Sequence, residues 1–336
     1  MKIVSNASYF GSGSSAIIDY LSEFNNTKNL TNFEFRFIHD PDGIRELEFN
    51  IVENFNRHNS GHAIKRYKRL VDYNSKHLFA LRYEQFFNNQ WKKISYEYID
   101  SLVDFKYPGF WNYDFYDKGA FYEFFHKFPD RLLHATIWRK KPDNHLFYIK
   151  STTYNSCMNH ERFVELTRNY TRKLFEVANK ENKEVLLLDQ LVPSTNISRH
   201  MEYFDDIKVF IVDRDPRDVF LLAKYVWHDK VPPTDVVLFC KWFKYCRSTQ
   251  TEEIKNKNIM LIQFEDLIYR YDEMSFKINN WLGFDENSHV DKFKYFDPSI
   301  SIKNTRLWDK MPEHNDEIKY IEDNLADYLY DYTFLD

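Results

Sequence analysis

Cysteine is nearly absent: Cys157, Cys240 and Cys246 are the three among 336 residues. An odd number with no CxxC spacing argues against a disulfide scaffold and against a thiolate zinc site. Glycine and proline are scarce too, at 7 and 10. That excludes collagen-like and low-complexity chains and leaves few places for tight hairpins. Positive charge is not in excess, with 46 Lys and Arg against 51 Asp and Glu, a net charge of −5. A broad nucleic-acid-binding face is therefore not expected, although a local basic pocket stays open. No apolar run approaches the roughly 18 residues of a membrane span. The opening MKIVSNASYF lacks the apolar stretch of a secretion signal. The expectation is a reduced, cytoplasmic, soluble protein. Nothing in the sequence sets an oligomeric state.

What the chain has in plenty is aromatic side chains, with 31 Phe, 24 Tyr and 7 Trp. A hydrophobic fraction of 43% with 29% charged residues can bury a sizeable core. The length fits one large domain or two small ones at roughly 150 residues each. Lys2 to Ser5 reads as a short buried strand. Ser14 to Phe24 reads as a helix with Ile17, Ile18, Leu21 and Phe24 on one face. Phe33 to Ile38 (FEFRFI) and Leu146 to Ser151 (LFYIKS) read as further strands. Phe163, Leu166, Tyr170, Leu174 and Val177 trace a helical stripe. Val185 to Asp189, Val209 to Val212 and Ile259 to Gln263 are short apolar runs, each followed by a helical pattern, as in buried parallel strands. The expected fold is α/β: one domain over 1–336, a central, mostly parallel sheet flanked by helices, and a helical, aromatic-rich insertion at about 41–145.

Two loops carry chemistry. The first, Ser8 to Ala16, contains Gly11-Ser12-Gly13-Ser14-Ser15 between a strand and a helix. Glycines let a backbone turn tightly and approach a ligand. Amides at a helix start attract an anion, and three serine hydroxyls add donors. This is a P-loop-like phosphate cradle. It lacks the Lys of GxxxxGK[ST], which counts against an ATPase or GTPase. A Ser-rich N-cap and turn is the plainer reading. The second loop is Asp213-Arg214-Asp215-Pro216-Arg217-Asp218. Asp215 suits an N-cap and Pro216 the first helical position. Arg214 then stands at the carboxyl end of a strand, where α/β sheets bind ligands, and can chelate a phosphate. A surface ion pair with a neighbouring Asp is its plainer role.

Together the two loops resemble those of the sulfotransferases that use 3′-phosphoadenosine-5′-phosphosulfate. In that family the first loop reads approximately K-S-G-T-T and holds the 5′-phosphosulfate; here it is Gly11 to Ser15. The second reads R-x-P-[KR]-D and holds the 3′-phosphate through its Arg, here Arg214. Ile262-Gln263-Phe264-Glu265-Asp266-Leu267 is similar to the family's strand-E-D-L segment. Ser301 to Thr305, with Lys303 and Asn304, is similar to its late donor-binding segment. The resemblance covers residues 1–25 and about 183–310. It implies a bacterial-type sulfotransferase that moves a sulfuryl group to an acceptor hydroxyl without a metal. Two positions depart from the pattern. Gly11 replaces the loop Lys, which makes Lys150 and Lys303 the candidate substitutes. Leu222 stands where a Ser that contacts the 3′-phosphate is usual.

In cytosolic members of that family a His at the end of the strand before the Arg loop takes the acceptor's proton; here that strand ends in Asp189-Gln190-Leu191, so the resemblance makes Asp189 the candidate base, with His134 and His200 behind it. His58 and His62 have metal-ligand spacing, but Asn59-Ser60-Gly61 between them argues against a helix and so against a metal site. Glu265 and Asp266 are expected to cap a helix, and the basic run His62 to Arg69 to form a solvated face. The aromatic insertion (Trp91, Tyr107, Phe110, Trp111, Tyr113, Phe115, Tyr116, Trp138) is either core or an acceptor wall for a glycan or a sterol-like alcohol. The competing readings are a nucleotide-dependent phosphoryl transferase and a non-catalytic donor-binding homologue.

Overall fold

A run such as Val185-Leu186-Leu187-Leu188 has no polar side to turn toward water, so both of its faces must be covered. In the computed structural model, which describes residues 1–77, 80–146 and 151–335, it lies inside a parallel sheet. The chain divides into two compact units. One comprises Met1–Asp40, Gln85–Asn89 and Thr171–Asp336; the other comprises Pro41–Glu84 and Gln90–Tyr170.

The first unit holds five strands: β1 (Lys2–Asn6), β2 (Thr27–Glu34), β3 (Val185–Asp189), β4 (Ile207–Asp213) and β5 (Ile259–Gln263). Their order is β2-β3-β1-β4-β5, and every neighbouring pair is parallel. Val4 stands opposite Leu187, and Ser5 opposite both Leu188 and Val209. One face is sealed by Ile17 and Leu21 of helix Ser15–Leu21 and by Ile278 and Leu282 of helix Tyr271–Leu282. These pack on Val4, Leu187, Phe210 and Val212. Burying one such side chain contributes roughly 1.5–3 kcal/mol. A second cluster joins helices Pro216–Leu222, Val236–Cys246 and Asn315–Asn324 through Phe220, Phe239, Phe243 and Ile321. The chain builds one side of the sheet and then crosses β1 to build the other. The carboxyl end of β1 is therefore the switch point at which such sheets form a crevice.

One expected strand is displaced along the chain. β2 ends at Glu34 and shares only Phe33 and Glu34 with the expected strand FEFRFI. β2 pairs on one side alone, so its sequence TKNLTNFE carries polar residues. Phe35, Phe37 and Ile38 are fully buried for a different reason: Phe35 packs on the rings of Phe86 and Phe87 at 5.2 and 5.8 Å. Of the expected strand LFYIKS only Leu146 and Ser151 are described, and Ser151 opens a strand of the second unit. Ser151–Asn155 pairs antiparallel with Phe105–Gly109 in the second unit. Residues 147–150, Lys150 among them, lie outside the described residues.

The second unit is mainly helical, with helices Arg57–Ser75, Trp91–Leu102 and Tyr113–Ala135. Its core is aromatic: the Trp91 indole donates to the Val71 carbonyl at 3.0 Å, and Tyr98 stacks on Tyr170 at 4.4 Å. Helix Tyr113–Ala135 has no buried residue, so much of the aromatic run is not core. The basic run is not simply solvated, because Arg66 pairs with Asp42 and Arg69 with Asp117. Among the described residues no helix is long and apolar enough to cross a membrane.

His58 and His62 do share a helix. Asn56 caps it, accepting from the amides of His58 and Asn59 at 2.9 Å each. Gly61 is there for contact rather than for a turn: a Cβ would meet the Tyr154 carbonyl oxygen at 2.7 Å. His62 stacks against Trp111 and faces Asp117 across 3.7 Å. Gly61→Ala should therefore lower the urea midpoint, although Ala is better than Gly in a helix by about 1 kcal/mol. A raised midpoint would show that the Tyr154 contact is not binding.

Candidate functional site

The loop after β1 is shaped by two glycines in the left-handed region, Gly11 at φ 81° and Gly13 at φ 79°. Neither position has room for a side chain. A Cβ on Gly11 would lie 2.5 Å from the Trp227 ring, and one on Gly13 would lie 2.7 Å from the Phe264 ring. The serines between and after them differ. Ser12 is fully buried and its hydroxyl donates to the Tyr9 carbonyl at 2.8 Å, bracing the loop from within. Ser14 is half-buried at the N-cap, makes no side-chain capping bond, and leads into an exposed Ser15.

The loop after β3 is tied to this one. Asn6, the last residue of β1, accepts the Gln190 amide at 3.0 Å, and the Ser5 hydroxyl accepts the Leu191 amide at 3.1 Å. Asp189 is half-buried, with one carboxylate oxygen buried and without a hydrogen-bond partner. Burial and the nearby Glu34 raise its pKa against an opposing hydrogen bond from Asn6. Asp19 feels the Asp189 charge; burial, Glu23 and Asp189 push it up to about 6. Across the same turn, His39 Nε2 bonds the Gln190 carbonyl at 2.9 Å, and burial lowers its pKa. Asp19 and His39 had no sequence signal, because each is brought here by the sheet from a distant segment.

The acidic loop after β4 is fully engaged. Asp213 receives the Arg247 guanidinium, with contacts of 2.9 and 3.0 Å from Nε, and the Gln250 amide at 2.8 Å. Asp215 caps helix Pro216–Leu222, accepting the Arg217 amide at 2.9 Å and its guanidinium at 2.8 and 3.0 Å. Asp218 accepts the amides of Arg306 and Leu307 at 3.1 and 2.8 Å. Burial pushes Asp218 up to about 7 even though Arg214 opposes the shift.

Arg214 is 4% exposed. Its guanidinium reaches the Gly11 carbonyl at 3.5 Å, bonds the Asn304 carbonyl, and stands 4.8 Å over the Phe264 ring. Its Nε is buried without a partner. The structure thus brings Gly11, Arg214 and Asn304 together, but Asn304 contributes backbone while its side chain and that of Lys303 are exposed. Glu265 does not cap a helix with its side chain. It is fully buried, accepts the Asp215 amide at 3.0 Å through one oxygen, and leaves the other without a partner. Asp266 accepts the Tyr330 hydroxyl at 2.6 Å. His200 is buried and bonded to the Asn196 carbonyl at 2.7 Å. His134 belongs to the second unit.

No protein-family model and no curated protein matches the chain. Among solved structures, the chain is similar to the sulfotransferase STF9 from Mycobacterium avium, with 11% identity over 97% of this chain and 75% of that one. The TM-score is 0.38, too low to bear on activity. The fold itself is α/β, with a parallel central sheet flanked by helices.

The buried Glu265 gives the site a pH signature. Burial raises its carboxyl well above the ordinary range, and the neighbouring Asp215 charge adds to this. The folded state then holds a proton that the unfolded state has released, so stability is full below the unfolded value of about 4.3 and falls as pH rises. Glu265→Gln mimics the protonated form. Urea midpoints of the variant should match wild type near pH 4 and fall less between pH 4 and 8. Equal slopes would show that Glu265 is ionised when folded.

Proposed function

We propose that this chain is a sulfotransferase that takes the sulfuryl group of 3′-phosphoadenosine-5′-phosphosulfate and transfers it to an acceptor hydroxyl. The observation that carries the reading is Arg214: a buried guanidinium at the carboxyl end of β4, bonded to the carbonyls of Gly11 and Asn304, with one N–H left over. Buried donors are rarely orphaned, and a phosphate oxygen would satisfy this one. In this reading the amides of Gly13 to Ala16, with Ser14 and Ser15, surround the 5′-phosphosulfate. Gly11 allows close backbone approach, and Ser12 holds the loop's shape. Arg214 and the Lys303–Asn304 segment serve the 3′-phosphate.

The acceptor oxygen attacks sulfur in line, forming an O–S bond while the bond from sulfur to the bridging phosphate oxygen breaks. The acceptor proton passes to Asp189, whose raised proton affinity and unpartnered oxygen suit a base. Adenosine 3′,5′-bisphosphate leaves. Charge that grows on the bridging oxygen needs a fixed donor; in place of the loop lysine we assign Lys150 first and Lys303 second. No metal is needed. The acceptor is proposed to be a glycan hydroxyl, with a sterol-like alcohol as the other choice.

Calorimetry should find the 3′,5′-bisphosphate nucleotide binding clearly more tightly than AMP. Arg214→Ala should lose roughly 1.5–3 kcal/mol of that affinity. Equal affinities for the two nucleotides would remove Arg214 from phosphate binding. Asp189→Asn should leave donor affinity unchanged and slow turnover by roughly 10²–10⁴; near-normal turnover would move the base elsewhere.

A further inference from the structure

Helix Tyr113–Ala135 of the second unit carries Asp130 and His134 four residues apart, on one face. His145, farther along the chain in the same unit, brings its ring to the same place. His134 Nε2 lies 3.8 Å from an Asp130 oxygen, and His145 Nδ1 lies 3.6 Å from that same oxygen. The three ligand atoms all fall within 4.8 Å of one another.

These separations are too long for hydrogen bonds. They are close to what a shared ion requires: ligand atoms about 2.0–2.1 Å from a tetrahedral zinc stand roughly 3.3–3.4 Å apart. A second observation points the same way. His134 Nε2 is buried and has no hydrogen-bond partner, although it is aimed at the carboxylate. A buried polar atom left in that state calls for an unseen partner. The carboxylate is already oriented, since its other oxygen accepts the Leu146 amide at 2.7 Å. Outer bonds of this kind hold metal ligands in place.

We propose that Asp130, His134 and His145 form a binding site for a divalent transition-metal ion, best matched by Zn²⁺. Two imidazoles and one carboxylate suit zinc and its neighbours rather than calcium or magnesium, which take oxygen ligands. Three protein ligands leave a fourth position for water. The bound ion fastens the end of the helix to the returning chain around His145. The site lies wholly in the second unit and stands whether or not the chain transfers sulfuryl groups.

The test is calorimetric titration of the full chain with Zn²⁺ after treatment with a chelator, alongside Co²⁺ titration read by visible absorption. Wild type should take up one equivalent of Zn²⁺ saturably, with Co²⁺ giving the intense bands of a tetrahedral site. His134→Ala and His145→Ala should each weaken Zn²⁺ binding by at least about 10–100-fold, while the paired change His58→Ala with His62→Ala should not. Circular dichroism of the variants checks folding, and the wild-type titration decides even if a variant fails to fold. No saturable Zn²⁺ binding by wild type would overturn the proposal. So would unchanged binding in folded His134→Ala and His145→Ala, or a loss confined to the His58 and His62 variant.

Discussion

A guanidinium that is 4% exposed cannot be left without partners, because an unpaired charge in the interior costs several kcal/mol. Arg214 meets this constraint by drawing two distant backbone carbonyls to itself, those of Gly11 and Asn304. The loop after β1 and the turn Ile302–Asn304 are thereby joined at the carboxyl end of β4. The surrounding acids follow from the same demand. Asp213 and Asp215 are matched by Arg247 and Arg217. Asp218 is held by two amides. Glu265, fully buried behind them, has its carboxyl pKa raised well above the ordinary range by that burial. The DRDPRD segment is thus an interior charge network, not a surface of loose ion pairs.

The parallel sheet was readable because its inner strands have no solvent side. Val185–Asp189 and Ile259–Gln263 have the same limits in sequence and structure, and β4 is only longer at its ends. The edge strand β2 was not readable: with one open edge, TKNLTNFE has little apolar signal, while the adjoining FEFRFI is apolar because its rings fill a cluster. The strand Ser151–Asn155 had no sequence signal of its own, and residues 147–150 of the expected strand LFYIKS lie outside the described residues. In the antiparallel pair that Ser151–Asn155 joins, the threonine-rich STTYN buries only Thr153 and Tyr154. Gly61 misled in the other direction, since a glycine inside a helix signalled a break where it serves a 2.7 Å approach.

At the candidate site, residue types and backbone conformation were legible and side-chain directions were not. Gly11 and Gly13 had to be glycine, and the structure gives them φ of 81° and 79°. Nothing local tells that Ser12 turns its hydroxyl inward to Tyr9, or that Asn304 offers a carbonyl rather than an amide. Asp19 and His39 gather around the turn at Asp189 and Gln190 only because β1, β2 and β3 lie side by side. Such proximity is a property of topology, not of spacing along the chain.

If the cradle at the end of β1 serves the proposed transfer, it moves a sulfuryl group to an acceptor. The most direct measurement incubates the full chain with 3′-phosphoadenosine-5′-phosphosulfate and a library of glycan and alcohol acceptors, read by mass spectrometry. A sulfated hydroxyl product is expected in step with release of adenosine 3′,5′-bisphosphate, in the presence of a chelator. Tight donor binding with no sulfated product from any acceptor class, or magnesium-dependent hydrolysis of ATP in its place, would contradict it.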